Sequence, residues 1–249
     1  MTPDEAAAAL RAEGWALLPP SHSQDDLRCF TERLDALREA HGVTALHRPE
    51  PAWVAETVEV AGPGLAFYQL LGLAPELAPR LFTDAVLAAA SAALGEAMHL
   101  ELVGAVMSDE ARSFTEWETH LGGIDDERWR REGKRPRKPR IERLVAFLFL
   151  EPMTDETGPW RVIPRRVGDP VEPRGPLRQP DWPGAVTLSS PAGAVLLLDE
   201  STWHSVTPRR TPGVRRFVGA YFARDDVAPT VGVDATLDAF ADVLPVRPR

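Results

Sequence analysis

Cysteine is nearly absent from this chain: among 249 residues there is one, Cys29. A lone thiol excludes an internal disulfide and a cysteine-built zinc cluster, and it suits a reducing cytoplasm. Surplus basic charge is missing as well. With 28 Lys and Arg against 37 Asp and Glu the formal net charge is −9, which argues against a nucleic-acid binder, whose phosphate contacts need excess cations. No apolar run approaches the roughly 18–20 residues that span a bilayer. The opening Met1-Thr2-Pro3-Asp4-Glu5 is acidic, unlike the basic-then-apolar layout of a signal peptide. The expectation is a cytoplasmic globular protein with no nucleic-acid or membrane partner.

What is present is 44% hydrophobic content in a length that fits one large domain. Glu13-Gly14-Trp15-Ala16-Leu17-Leu18-Pro19-Pro20 reads as a short strand stopped by prolines. Ser23 offers an N-cap to a helix in which Leu27, Phe30, Leu34 and Leu37 recur at spacings of three and four, ending near Gly42. A strand is expected over 54–60, a second helix over about 65–71, and a third over the alanine-rich 85–97 behind Thr83-Asp84. From residue 100 onward strand-like segments dominate: 100–107, 115–120, 143–150, 160–163, 185–188, 194–198 and 215–222. Turn-rich pieces such as Asp155-Glu156-Thr157-Gly158-Pro159 separate them. Helices followed by short strands indicate an α+β, mainly β chain in which helices buttress a β-barrel or sandwich. We expect one domain over 1–249, its helical buttress mostly within 21–98 and its β core at about 100–225. A short helix over 234–243 closes the chain, with Leu237, Phe240 and Val243 at helical spacing.

Chemistry concentrates in the last third. An apolar run of strand length, Leu196-Leu197-Leu198, leads to His204; a proline-rich basic turn follows, and a new strand begins at Arg215. Strands hinged this way place His204 and Arg215 at one mouth of a sheet. A neutral imidazole is the commonest metal ligand, and a guanidinium fork grips a carboxylate by two parallel hydrogen bonds. Arg216 is the alternative clamp, since adjacent strand residues face opposite ways. Upstream, Glu118, His120 and Gly122 would share one strand face, and Trp117, Thr119 and Leu121 the other. Core packing is the leading role for Trp117, with substrate contact as the alternative. Trp160 and Trp203 read as core, and His41, His47 and His99 as structural.

These landmarks together resemble the iron(II)/2-oxoglutarate-dependent oxygenases, particularly the phytanoyl-CoA dioxygenase-like branch. The opening strand, the Asp155–Pro164 turn-and-strand signature, and His204 with Arg215 match in order, although Arg165-Arg166 stand where many members carry Gly-Ser. The resemblance implies a double-stranded β-helix (jelly-roll, cupin-like) core. It also implies iron(II) on His120 and His204, and 2-oxoglutarate held by Arg215, with Arg216 and Thr207 as further cofactor-binding candidates. The reaction implied is oxidative functionalisation of an unactivated C–H bond in a small molecule.

One departure matters most. Family members hold iron by two histidines and one carboxylate, the first pair normally His-x-Asp; here the motif is His120-Leu121-Gly122. In the resembling halogenases His-x-Gly leaves room for chloride, which is then transferred, and the stretch around His204-Ser205-Val206-Thr207 also looks like stand-alone halogenases. β-Hydroxylases of the same superfamily pair histidine with glycine and still hydroxylate. Alternatively Glu118, Asp125 or Asp126 supplies the acid, or the site has become a non-catalytic binding module. A zinc hydrolase is a weaker option that leaves Arg215 without a carboxylate. Halogenation leads. Finally, nine Lys and Arg between Arg128 and Arg143, with Trp129 among them, form a cationic loop that would draw in an anionic or carrier-tethered substrate or act as a lid; a merely solvated loop is the alternative.

Overall fold

The computed structural model describes residues 1–120, 138–228 and 233–248. Two antiparallel sheets face each other. The larger runs, in spatial order, β1 (Trp15–Leu18), β10 (Val195–Asp199), β7 (Arg143–Phe149), β12 (Arg215–Arg224), β5 (Met98–Ser108), β4 (Leu65–Phe67), β3 (Val58–Val60) and β2 (Ala52–Ala55). The smaller is β6 (Thr115–Glu118), β11 (His204–Val206), β8 (Trp160–Val162) and β9 (Val186–Thr187). This is the expected mainly β jelly-roll.

Strand periodicity explains why β7 and β10 read as unbroken apolar runs. Leu144, Ala146, Leu148, Val195 and Leu197 pack outward under the helices. Val145, Phe147, Phe149, Leu196 and Leu198 point inward, between the sheets. The larger sheet is thus buried on both faces, which removes the polar half of the usual alternation. Covering its outer face are α2 (Gln24–Ala40), with Leu27, Phe30, Leu34 and Leu37 buried as their spacing requires, and α4 (Asp84–Leu94). Ser23 caps α2 through a reciprocal bond with Asp26.

Several expectations are corrected. A helix over Pro3–Glu13, α1, precedes the first strand. Its signal is legible in retrospect, because Thr2 and Glu5 form a capping box with proline at the first turn. The buttress therefore begins well before residue 21, and within it lie three strands. The single strand over 54–60 is a hairpin, β2 and β3, and the helix over 65–71 is instead β4 followed by a one-turn helix, α3 (Leu70–Leu73). β4 pairs with β5, and sheet hydrogen bonding outweighs the helical preference of Leu-Ala. α4 stops at Gly95, short of 97, and Thr83 meets Ser21 at 2.7 Å instead of capping it. The tail forms a 3₁₀ segment, Ala235–Phe240, that buries Leu237 and leaves Val243 exposed. His204 opens β11 in the smaller sheet; the apolar run before it ends at Asp199, with a turn between. The double arginine has a structural use at its first member: Arg165 is buried and pairs with Asp199 at 2.9 Å.

Behind β6 a third cluster holds the smaller sheet in place. Trp117 is fully buried, stacks on Trp182 at 4.7 Å and 11°, and donates its indole N–H to the Gln179 carbonyl at 3.0 Å. Trp203 closes the cluster. Trp117 is core, as its leading reading had it, and it does not line the cavity, so the alternative of a substrate contact falls away. Trp117→Ala, measured by urea denaturation, is expected to cost about 3–5 kcal/mol, the range for a buried large aromatic truncated to alanine.

Candidate metal and anion site

β6 and β11 are neighbours in register, with Glu118 opposite His204. His120 follows the end of β6, its N–H held by the Glu200 carbonyl at 2.7 Å. Ligand atoms of Glu118, His120 and His204 lie within 4.8 Å of one another. The Glu118 Oε1 is 3.7 Å from His204 Nε2, and the two imidazole centroids are 4.9 Å apart. Each ring is braced by an aromatic: Trp160 stacks on His204 at 5.6 Å and 6°, and Tyr221 meets His120 edge-on at 5.9 Å. Trp160 was expected only as core; it is buried core and also lines the site.

The tautomer of His204 follows from its partner. Its Nδ1 lies 3.1 Å from the Thr202 carbonyl, which can only accept, so Nδ1 carries the proton and Nε2 presents a lone pair. His204 is buried and His120 half-buried, and desolvation pushes both rings towards neutrality. Desolvation lowers the His120 pKa to about 3, with His204 adding to it, and lowers that of His204 to about 4. Behind them Glu200 is wholly buried, one carboxyl oxygen has no partner, and desolvation raises its pKa well above the carboxylate range.

The three residues line one end of a cavity of about 270 Å³ between the sheets. Arg215, Phe217, Gly219 and Tyr221, alternate residues of β12, form part of its wall. Gly219 lies opposite Gly104 on β5, and a Cβ at Gly219 would come 3.2 Å from the Phe147 ring, so glycine lets that ring pack against the strand. Arg215 is 4% exposed. Its Nη1 donates to the Gly158 carbonyl, its Nη2 to Ser108 Oγ at 3.3 Å, and its buried Nε has no partner. No carboxylate pairs with it among the described residues. Desolvation, then the nearby Arg112, push its pKa well below the usual guanidinium value. Arg112 is itself buried, tied to Thr115 Oγ1 at 2.6 Å and to the Val206 and Thr207 carbonyls, and lowered to about 10 by desolvation. Gly158 takes φ +83°, and a Cβ there would come 2.6 Å from the Thr207 carbonyl, so the arginine's acceptor rests on a turn that only glycine fits.

Two other candidates sit elsewhere. Arg216 turns to the opposite face and pairs with Asp35 at 2.7 and 2.9 Å and Glu151 at 2.5 Å; it is not a clamp for a ligand in the cavity. Thr207 donates its hydroxyl to the Pro159 carbonyl at 2.9 Å and does not line the cavity. Gly122, Asp125, Asp126 and Trp129 lie outside the described residues, as does most of the cationic run. Its described flank is paired: Lys138 with Glu142, Arg140 with Asp226, Arg143 with Glu101. His99 bridges Glu101 and Asp225, and His47 accepts from the Asp109 N–H at 3.1 Å; both are structural. Tyr221 and Tyr68, which line the cavity, escaped the sequence reading. For Tyr221 the signal was available, six residues after Arg215 and so on its strand face.

Compared by sequence, the chain matches no protein-family profile and no curated protein. Its fold is similar to that of the non-haem alpha ketoglutarate dependent carbocyclase SnoK from nogalamycin biosynthesis, at 17% identity and a TM-score of 0.65 over 100% of this chain and 95% of that one. EctD from S. alaskensis, solved with 2-oxoglutarate and 5-hydroxyectoine, gives 18% and 0.65 over 90% and 77%. HygX from Streptomyces hygroscopicus, solved with nickel and 2-oxoglutarate, gives 14% and 0.62 over 90% and 88%. At such identities the likeness establishes the fold. Among the described residues no helix is long and apolar enough to cross a membrane.

The histidine shifts set a pH dependence. A folded pKa depressed below the unfolded value of about 6.5 means the unfolded chain takes protons the folded one refuses. Stability from these rings is thus present above about 6.5 and lost as pH falls towards 4 and 3. Urea midpoints of the metal-free protein should fall through this window, and His120→Asn/His204→Asn should fall less.

Proposed function

We propose that this protein is an iron(II)- and 2-oxoglutarate-dependent oxygenase acting on a small molecule. In this reading iron is held by His120, His204 and Glu118, and Arg215 binds the far carboxylate of the co-substrate. One observation carries it: two neutral imidazoles and a carboxylate converge at one end of a cavity whose wall also holds a buried guanidinium without an acid beside it. The donor set fits the metal, because two nitrogens and one carboxylate oxygen are the ligands of non-haem iron(II) sites with open positions. The orphaned Arg215 Nε fits a dicarboxylate, since a buried guanidinium is stabilised most by a bidentate carboxylate.

Iron(II) held there would supply oxidation of a C–H bond by dioxygen, coupled to oxidative decarboxylation of 2-oxoglutarate to succinate and carbon dioxide. The chain's own residues do the rest. The Thr202 carbonyl keeps the His204 Nε2 lone pair turned inward. Ser108 and Gly158 fix the plane of the Arg215 fork. Trp160, Phe147 and Phe217 wall the cavity and exclude water from the reacting carbon. The Tyr221 phenol is held protonated by burial and by the nearby Glu200 and Glu118, and so serves as a hydrogen-bond donor.

Glu118 favours hydroxylation or a related oxidation over halogenation, because a carboxylate two residues before His120 would take the place that chloride needs. The second reading, chlorination with chloride as ligand and cosubstrate, rests on the missing side chain at Gly122. HygX has been solved with hygromycin B bound and SnoK belongs to nogalamycin biosynthesis, which supports a small-molecule substrate in secondary metabolism. The phytanoyl-CoA dioxygenase-like branch and a cytoplasmic location complete the proposal.

Anaerobic calorimetry of iron(II) binding separates the readings. We expect Glu118→Ala to weaken iron(II) by more than about tenfold, about 1.4 kcal/mol, and chloride to leave the wild type unchanged. Chloride that tightens wild-type binding, with Glu118→Ala behaving as wild type, would instead establish a halide position. Iron(II)-dependent succinate release distinguishes either enzyme from a binding module.

A further inference from the structure

The larger sheet extends beyond the smaller one, and its extension carries residues with no part in the site so far. Directly opposed residues in antiparallel strands share a face. Following one such row outward, Phe217 lies opposite Val106, Val106 opposite Ala66, Ala66 opposite Glu59, and Glu59 opposite Trp53. The first three line the cavity. Glu59 and Trp53 therefore continue the cavity wall onto the apron formed by β2 and β3. The reverse face of β3 and β4, with Val58, Val60, Leu65 and Phe67, is buried in the core.

Trp53 is 59% exposed, an unusual state for the largest apolar side chain. Its ring lies 5.5 Å from that of Tyr68, which lines the cavity, and the Tyr68 hydroxyl donates to Glu59 Oε2 at 3.0 Å. Burial, with Glu59 and more weakly Glu118, keeps that phenol protonated. An open indole face, a phenol and a carboxylate thus stand in line at the cavity's rim. Arg215, the one cation among the described lining residues, is taken by the proposed co-substrate. An indole face attracts cations, and a carboxylate beside it favours a charged N–H donor.

We propose that Trp53, Tyr68 and Glu59 form an outer subsite that holds a protonated amine of the substrate, while the carbon to be oxidised reaches the histidine end. This rests on the oxygenase reading for what lies at the inner end.

The test uses metal-free full-length protein labelled with 5-fluorotryptophan, so that its outcome does not depend on iron. The chain has seven tryptophans; the Trp53 resonance is the one lost in Trp53→Phe. Glucosamine, glucose and glucuronate serve as probes of equal ring size and different charge. We expect glucosamine to shift the Trp53 resonance saturably, with glucose and glucuronate much weaker, and Glu59→Gln to weaken glucosamine by about tenfold. Absence of a saturable shift with glucosamine, equal shifts with all three probes, or unchanged affinity in a folded Glu59→Gln would overturn the subsite. Any of these with intact iron(II) and 2-oxoglutarate binding would leave the oxygenase reading standing.

Discussion

A guanidinium buried between two β-sheets without a carboxylate beside it is the constraint on which the rest of this structure turns. Desolvating a cation costs several kcal/mol unless charge and hydrogen bonds offset it. Arg215 receives a carbonyl and a hydroxyl, is repelled by Arg112 and Arg209, and is attracted by Glu151, whose carboxylate is bonded to Arg216 instead. Arg112 spends its own donors on the carbonyls at the end of β11. The folded chain thus holds positive charge in its interior and keeps the Nε–H of each arginine unspent. An anion entering the cavity relieves both, and its binding energy is in this sense stored in the fold.

The opposite end of the cavity has the complementary property. His204 is buried and His120 half-buried, and desolvation by the surrounding protein favours the neutral form of both; a neutral imidazole is what a metal requires. Placement is accurate because it rests on strands. β6 and β11 set Glu118 against His204, and the Trp117–Trp182 stack fixes β6 from behind. β12 carries Arg215 at its start and Tyr221 six residues on, spanning the cavity wall. Sites built on packed strands keep their geometry better than sites on loops.

Much of this was legible in the sequence wherever local pattern and global fold agree. The α2 stripe from Leu27 to Leu37, the apolar runs of β7 and β10, and the even spacing along β12 specify their elements unaided. The strand–turn–strand pattern put His204 beside Arg215 and the resemblance added His120; the structure brings the three to one cavity, although His204 and Arg215 stand on different sheets. Less legible were features decided by distant partners. Leu65–Phe67 is a strand because β5 lies beside it. Arg215 and Arg216 are chemically equal until Asp35 and Glu151 claim the second. Trp53 carries no sequence signal of its own, and only the sheet shows it on an edge strand with its ring exposed.

The central claim is that one cavity takes a metal at its histidine end and an α-keto dicarboxylate against Arg215. Anaerobic titration of the iron(II) protein with 2-oxoglutarate, followed by the visible charge-transfer band of the chelate, tests it most directly. The account predicts a saturable band whose half-saturation rises about a hundredfold in Arg215→Met, the loss of roughly 2.7 kcal/mol from a charge-assisted bidentate contact. Wild-type protein that binds iron(II) yet develops no band at saturating 2-oxoglutarate would contradict it.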